Sequence, residues 1–146
     1  RLSEQEEKNL NLSYVELEEL LKTSDIISLH TPLTNETKGI INTQQLSLMK
    51  SSAILINTSR GPVVNEPDLI KALQNNIIAG AGLDVMNTEP IEKDNPLLEL
   101  DNTIVTPHSA GTTWDTWFRR AEFAYNNIKG VHEGNAPLGV AKSYEN

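Results

Sequence analysis

The 146-residue chain reads as an α/β fold: a parallel sheet with helices on both faces, followed by one longer C-terminal helix. Three observations predict it. Strand-like and helix-like segments alternate, as they do where parallel strands are joined by crossovers. The strand candidates are short continuous apolar runs, the pattern of parallel strands buried on both sides. Three of those runs also end in residues able to do chemistry. Ile54-Leu55-Ile56 leads into Asn57-Thr58-Ser59-Arg60-Gly61, Ala81-Gly82-Leu83 into Asp84 and on to Glu89-Pro90, and Ile104-Val105 into Thr106-Pro107-His108. In open α/β sheets, ligands bind outside the carboxyl ends of the strands.

The elements follow in order. Ser13 and Glu16 fit a capping box, after which Tyr14, Leu17, Leu20 and Leu21 share one helical face ending near Thr23. Residues 25–29 form a strand, and Pro32 forces the chain out of it. Residues 34–39 are loop, and residues 43–49 a short helix capped by Asn42 or Thr43. Residues 53–57 form the second strand. Asn65 caps a helix with Pro67 in its first turn, where a missing N–H costs nothing, and Leu69, Ala72 and Leu73 face inward. Residues 77–85 are the third strand. Pro90 and Pro96 mark a loop with one turn near residues 97–100, and residues 103–106 are the fourth strand. A helix from Thr112 or Thr113 to about Glu133 carries Trp114, Trp117, Phe118, Phe123 and Tyr125. An irregular tail begins at Gly134.

Composition narrows the classes of function. A net charge of −8 argues against a nucleic-acid partner, which needs clustered Lys and Arg. The absence of cysteine excludes disulfides and thiolate metal sites. The acidic cluster at residues 4–7 reads as a solvated face. No apolar run nears the ~20 residues of a membrane span, so no membrane partner is expected. The opening residues do not read as a signal peptide, and the cytoplasm is the default location.

An Arg after a strand is ordinarily a solvated surface residue. Arg60, however, sits between Asn57-Thr58-Ser59 and Gly61, a turn that exposes N–H groups and hydroxyls, and its planar fork suits a carboxylate. Of three histidines, His132 falls late in the last helix and His30 ends a strand before Thr31-Pro32, where it either lines a cleft or caps the strand. His108 stands between Pro107 and Ser109-Ala110-Gly111. Glu89 is a carboxylate able to accept a hydrogen bond from it, fix its tautomer and favour its protonated form. Together they suggest acid/base work on a carboxylate-bearing substrate. Gly80-Ala81-Gly82-Leu83-Asp84-Val85 starts like a dinucleotide fingerprint, but Val85 holds the third glycine's place and no helix follows. Ser109 beside His108 lacks the Gly-x-Ser-x-Gly elbow of a hydrolase. No spacing suggests a metal site.

At these residues the chain resembles the D-isomer-specific 2-hydroxyacid dehydrogenases, from about Ser24 to about Pro137. His30-Thr31-Pro32-Leu33-Thr34 with the stretch from Thr37 to Asn42 is similar to the loop after a cofactor-domain strand. Ile56-Asn57-Thr58-Ser59-Arg60-Gly61 through Val63-Val64-Asn65-Glu66 is similar to the family's arginine motif, Gly82-Leu83-Asp84-Val85 with Glu89-Pro90 to its glutamate motif, and Pro96-Leu97 through Thr106-Pro107-His108 to its histidine motif. Three in this order and spacing make a specific match.

The resemblance implies a partial Rossmann-like domain. Residues 1–111 correspond to the second half of the dinucleotide-binding domain. Residues 112–146 correspond to the helix and tail that return to a substrate domain. It implies an NAD- or NADP-dependent oxidoreductase interconverting small 2-keto acids and D-2-hydroxy acids. Arg60 would bind the substrate carboxylate, His108 would be the acid/base, and Glu89 would hold His108 protonated. Pro32, Thr58, Ser59, Arg60, Asp84, His108 and Gly111 would line the cofactor. The family's glycine fingerprint lies before the matched region and has no counterpart here. The expectation is therefore a fragment, inactive alone, of a protein that is a homodimer at full length. The alternative on the same fold is a non-catalytic module that senses NAD(H) or docks partners.

Overall fold

A computed structural model describes residues 2–140. The chain divides into two compact units with the boundary between His108 and Ser109. The first unit contains α1 (Glu4–Leu10), α2 (Leu17–Thr23), β1 (Ile26–Leu29), α3 (Thr43–Leu48), β2 (Ile54–Asn57), α4 (Glu66–Gln74), β3 (Gly80–Leu83) and β4 (Thr103–Val105). Short 3-10 turns follow β2 at Gly61–Val63 and precede β4 at Pro96–Leu98.

The four strands form one parallel sheet in the order β1-β2-β3-β4. Each connection steps one strand in the same direction. Crossovers of one hand then place α3 and α4 on the same face, where α2 packs on α3 and α3 on α4. The register aligns Ile27, Leu55 and Ala81 in one row and Leu29, Asn57 and Leu83 in the next, all buried beneath those helices. Leu21, Leu46, Leu69, Leu73 and Ile78 complete that core from the helix side and its flanks.

The parallel sheet and the long C-terminal helix are as expected, but within this unit helices cover one face only. The other face carries Ile26, Ile54 and Ile104, which are 62%, 41% and 71% exposed. The reason is topological: three connections in one direction cannot supply a second layer, and the link from β3 to β4 contains no α-helix. The continuous apolar runs record a sheet apolar on both sides, not one that this unit covers on both sides.

The amino end also differs from expectation. The sequence carries the capping-box pattern twice, and the box closes at Ser3 and Glu6, at the start of α1, instead of at Ser13. Tyr14, assigned above to the face of a helix, lies before it, and its hydroxyl accepts from the Leu2 backbone N–H at 3.0 Å. α2 therefore starts only at Leu17, with Glu16 as an N-cap that makes no side-chain bond. Asn42 and Asn65 cap α3 and α4, accepting from Gln44 N at 2.9 Å and Asp68 N at 3.2 Å. The third strand is shorter than its apolar run, covering Gly80–Leu83.

The second unit is α5 (Trp114–His132), capped by Thr113, whose hydroxyl accepts from Thr116 N at 3.2 Å. Asn127 ties the following segment back to the helix, donating to the Leu138 carbonyl at 3.1 Å and accepting from Leu138 N at 2.8 Å. The end of the expected irregular tail, residues 141–146, lies outside the described residues. Among the described residues, no helix is long and apolar enough to cross a membrane.

Candidate functional site

Parallel strands deliver their carboxyl ends to one edge, and the turns there carry the polar residues. β2 closes on Asn57, a residue 1% exposed. A buried amide must find partners, and this one finds them in the turn that follows. Its Oδ1 accepts from the Ser59 N–H at 3.0 Å and the Ser59 hydroxyl at 2.9 Å, and its Nδ2 donates to the Arg60 carbonyl at 3.0 Å. The loop of residues 58–60 is wrapped on one side chain. Arg60 extends from it, its guanidinium donating to the Ser59 carbonyl at 2.6 Å.

Gly61 then brings two turns together. A Cβ at Gly61 would lie 2.0 Å from the Met86 carbonyl oxygen and 2.6 Å from the Asn87 nitrogen. Any side chain would drive the turn after β2 away from the turn after β3.

Beyond β3, Asp84 is 5% exposed and accepts from the Thr106 hydroxyl, joining the ends of β3 and β4. The chain turns through Met86 to Glu89, which precedes Pro90 across a cis peptide bond. Glu89 Oε1 accepts from the Met86 N–H at 3.0 Å, and Oε2 accepts from His108 Nδ1 at 2.8 Å. The His108 bond, then the Met86 bond, hold the Glu89 carboxyl below the usual carboxylate range, against the opposing pull of burial and of Asp84. His108 has φ of 51°, a left-handed conformation that residues with side chains adopt uncommonly. With Nδ1 bound to the carboxylate, the free ring nitrogen is Nε2, and the imidazole is 49% exposed.

Two hollows open at this edge. One, of about 550 Å³, lies beyond β1 and β2 and is lined by His30, Thr31, Pro32, Thr58, Ser59 and Arg60. The other, of about 560 Å³, lies beyond β3 and β4 and includes Asp84, Glu89, Leu98 and His108. The structure thus joins Glu89 to His108 in direct contact, sets Asp84 in the same hollow, and gathers Pro32, Thr58, Ser59 and Arg60 in the neighbouring one. Gly111 belongs to the second unit. Among the described residues, no three His, Asp or Glu side chains converge in a way that would hold a metal ion.

Some contributors were not singled out from the sequence. Asn57 and Thr106 organise the edge through hydrogen bonds, and the only linear signal for Asn57 is an amide ending an apolar run. Glu66, in the first turn of α4, reaches residues of the Glu89 loop, for which the sequence holds no local signal.

Comparison with known proteins adds the following. The family model for the NAD binding domain of D-isomer specific 2-hydroxyacid dehydrogenases matches residues 1–110. A glyoxylate reductase of Korarchaeum cryptofilum is 50% identical over 131 residues, spanning 90% of this chain and 40% of the relative. A hydroxypyruvate reductase of Blautia hydrogenotrophica is 46% identical over 133 residues, 91% of this chain and 41% of the relative. The NAD-complexed D-isomer specific 2-hydroxyacid dehydrogenase of Lactobacillus delbrueckii ssp. bulgaricus superposes with a TM-score of 0.84 at 32% identity, over 97% of this chain and 47% of that one. The chain spans about two fifths of the length of the curated relatives it matches.

Proposed function

The chain belongs to the D-isomer specific 2-hydroxyacid dehydrogenase family through its NAD binding domain, and from that premise we propose that it serves the reduction of small 2-keto acids to D-2-hydroxy acids. Glyoxylate and hydroxypyruvate are the substrates its relatives' names point to. The observation that carries the reading is the 2.8 Å bond between His108 Nδ1 and Glu89, which leaves Nε2 to exchange a proton with substrate.

The residues present suit part of a dinucleotide. The hollow at Thr58, Ser59 and Arg60 offers hydroxyls and a cation in about 550 Å³, with Pro32 at its margin. Asp84 stands at the neighbouring strand end. These groups would hold the nicotinamide half, with Pro32 toward the adenosine side. The reduced cofactor, NADH or NADPH, would supply the hydride for C2 of the keto acid and leave as NAD or NADP.

The chain's own residues do the rest. Arg60 pairs with the substrate carboxylate through two parallel hydrogen bonds and draws charge toward the keto oxygen. His108 Nε2–H gives its proton to that oxygen as the alkoxide forms. The Glu89 carboxylate, kept ionised by its two donors, stabilises the imidazolium before transfer and fixes the ring's orientation. In the reverse direction the neutral ring takes the hydroxyl proton.

The test is a chimera in which this chain replaces the matching 131 residues of the Korarchaeum reductase. NADH-dependent reduction of glyoxylate or hydroxypyruvate at turnover near that of the unaltered reductase is expected. A folded chimera that binds NADH but reduces neither acid would reject the enzymatic reading and favour a sensing or docking module.

A further inference from the structure

We infer that Glu66 is a positioning residue for the Glu89–His108 pair, stapling both ends of the loop that carries Glu89. This rests on the reading of that pair given above. Glu66 opens α4, on a different element from either partner. Its Oε2 accepts from the Asn87 backbone N–H at 3.2 Å, two residues before Glu89. Its Oε1 accepts from Asn95 Nδ2 at 2.9 Å, six residues after Glu89. One carboxylate therefore closes residues 87–95 into a loop anchored on the helix.

The anchoring is directional. Asn95 cannot turn its amide over freely, because its Oδ1 already accepts from Leu97 N at 3.0 Å and caps the 3-10 turn. Asn87 sits on the peptide that Gly61 presses against, so the loop's first end is held from two sides. Glu66 lies in the first turn of α4, where the helix dipole favours a negative charge. Loops are the most mobile parts of a fold, and a loop of nine residues does not hold a carboxylate within hydrogen-bond reach of an imidazole by itself. The exposed Glu89–His108 pair is worth little as an ion pair on its own. Placement from the helix side adds to the Met86 N–H bond in setting the 2.8 Å contact.

The experiment follows the carboxyl carbon of Glu89 by NMR as pH is varied, in the full 146-residue chain. The groups facing that carboxyl are His108, the Met86 N–H and Asp84. In the unaltered chain Glu89 titrates below the ordinary value of about 4.3, and His108→Ala moves it up. Glu66→Ala, folded by circular dichroism, moves it up as well, although the hydrogen bonds of Glu66 go to Asn87 and Asn95 and not to Glu89 or His108. Glu66→Gln alone sets its amide NH2 against one of the two donors, Asn87 N–H or Asn95 Nδ2, and Asn95→Asp alone sets two carboxylates face to face. The paired exchange Glu66→Gln with Asn95→Asp restores a donor–acceptor match and returns the low titration. A Glu89 titration that stays low in Glu66→Ala overturns the inference. Should Glu66→Ala fail to fold, identical Glu89 titrations in both single exchanges and the pair overturn it. If instead His108→Ala leaves Glu89 unmoved, the Glu89–His108 pairing itself is wrong, whatever Glu66 does.

Discussion

His108 and Glu89 are nineteen positions apart and meet through one hydrogen bond. Two consequences follow at the scale of the residue. The first concerns the tautomer. A carboxylate on Nδ1 keeps the proton there, so nitrogen-resolved NMR of the neutral ring should find Nδ1–H, and Glu89→Ala should release the preference. A neutral ring protonated at Nε2 would contradict the assignment of Nε2 as the substrate-facing atom that accepts a proton. The second concerns acid stability. The folded Glu89 carboxyl is lowered, first by the His108 bond and then by the Met86 N–H. Below the ordinary carboxylate value the unfolded chain then binds more protons than the folded one. Its contribution is fully present above that value and is lost as pH falls through the lowered one. Chemical denaturation of Glu89→Gln should show a shallower loss of stability than the unaltered chain as pH falls below the ordinary carboxylate value; equal slopes would contradict it. Arg60, Glu89 and His108 were legible as candidates because each is a reactive type just past an apolar run. Asn57 and Glu66 were not. An amide that folds the next three residues onto itself, and a carboxylate whose partners lie 21 and 29 positions away, leave no local pattern.

Among the elements, Gly61 and the two faces of the sheet offer the sharpest tests. Gly61→Ala places a methyl group 2.0 Å from the Met86 carbonyl oxygen, with backbone on both sides and no flexible side chain to yield. Overpacking of that kind costs about 1–3 kcal/mol, and thermal unfolding should register it as a lowered Tm. An unchanged Tm would show that the two turns do not press together. On the sheet, Leu55 is fully buried and Ile104 is 71% exposed. Leu55→Ala should cost about 2–5 kcal/mol, while Ile104→Thr should stay within about 0.5 kcal/mol. Similar losses at both would mean that the second face is covered too. The strands were legible because continuous apolar runs and flanking turn residues mark them directly. The cover of the sheet was not, because apolar residues on both faces report what a strand is able to bury, not which helices arrive. The amino end misled because one capping pattern occurs twice, and it closes at Ser3 and Glu6 while Tyr14, outside any helix, accepts from Leu2 N.

For the molecule as a whole, the chain supplies strand ends and the turns between them, yet its 146 residues contain no Gly-x-Gly-x-x-Gly. The backbone nest that such a motif builds for a pyrophosphate is the main anchor of a dinucleotide. The polypeptide by itself should therefore bind NADH weakly and turn over no substrate, and micromolar affinity in a fluorescence titration would refute that. Proton transfer by His108 is tested most directly in the chimera with the Korarchaeum reductase, by comparing steady-state reduction of glyoxylate before and after His108→Ala. Loss of a general acid should lower kcat by about 10²–10⁴-fold with little change in the Kd for NADH. A kcat left unchanged by the substitution would remove His108 from the chemistry, and with it the role given to Glu89.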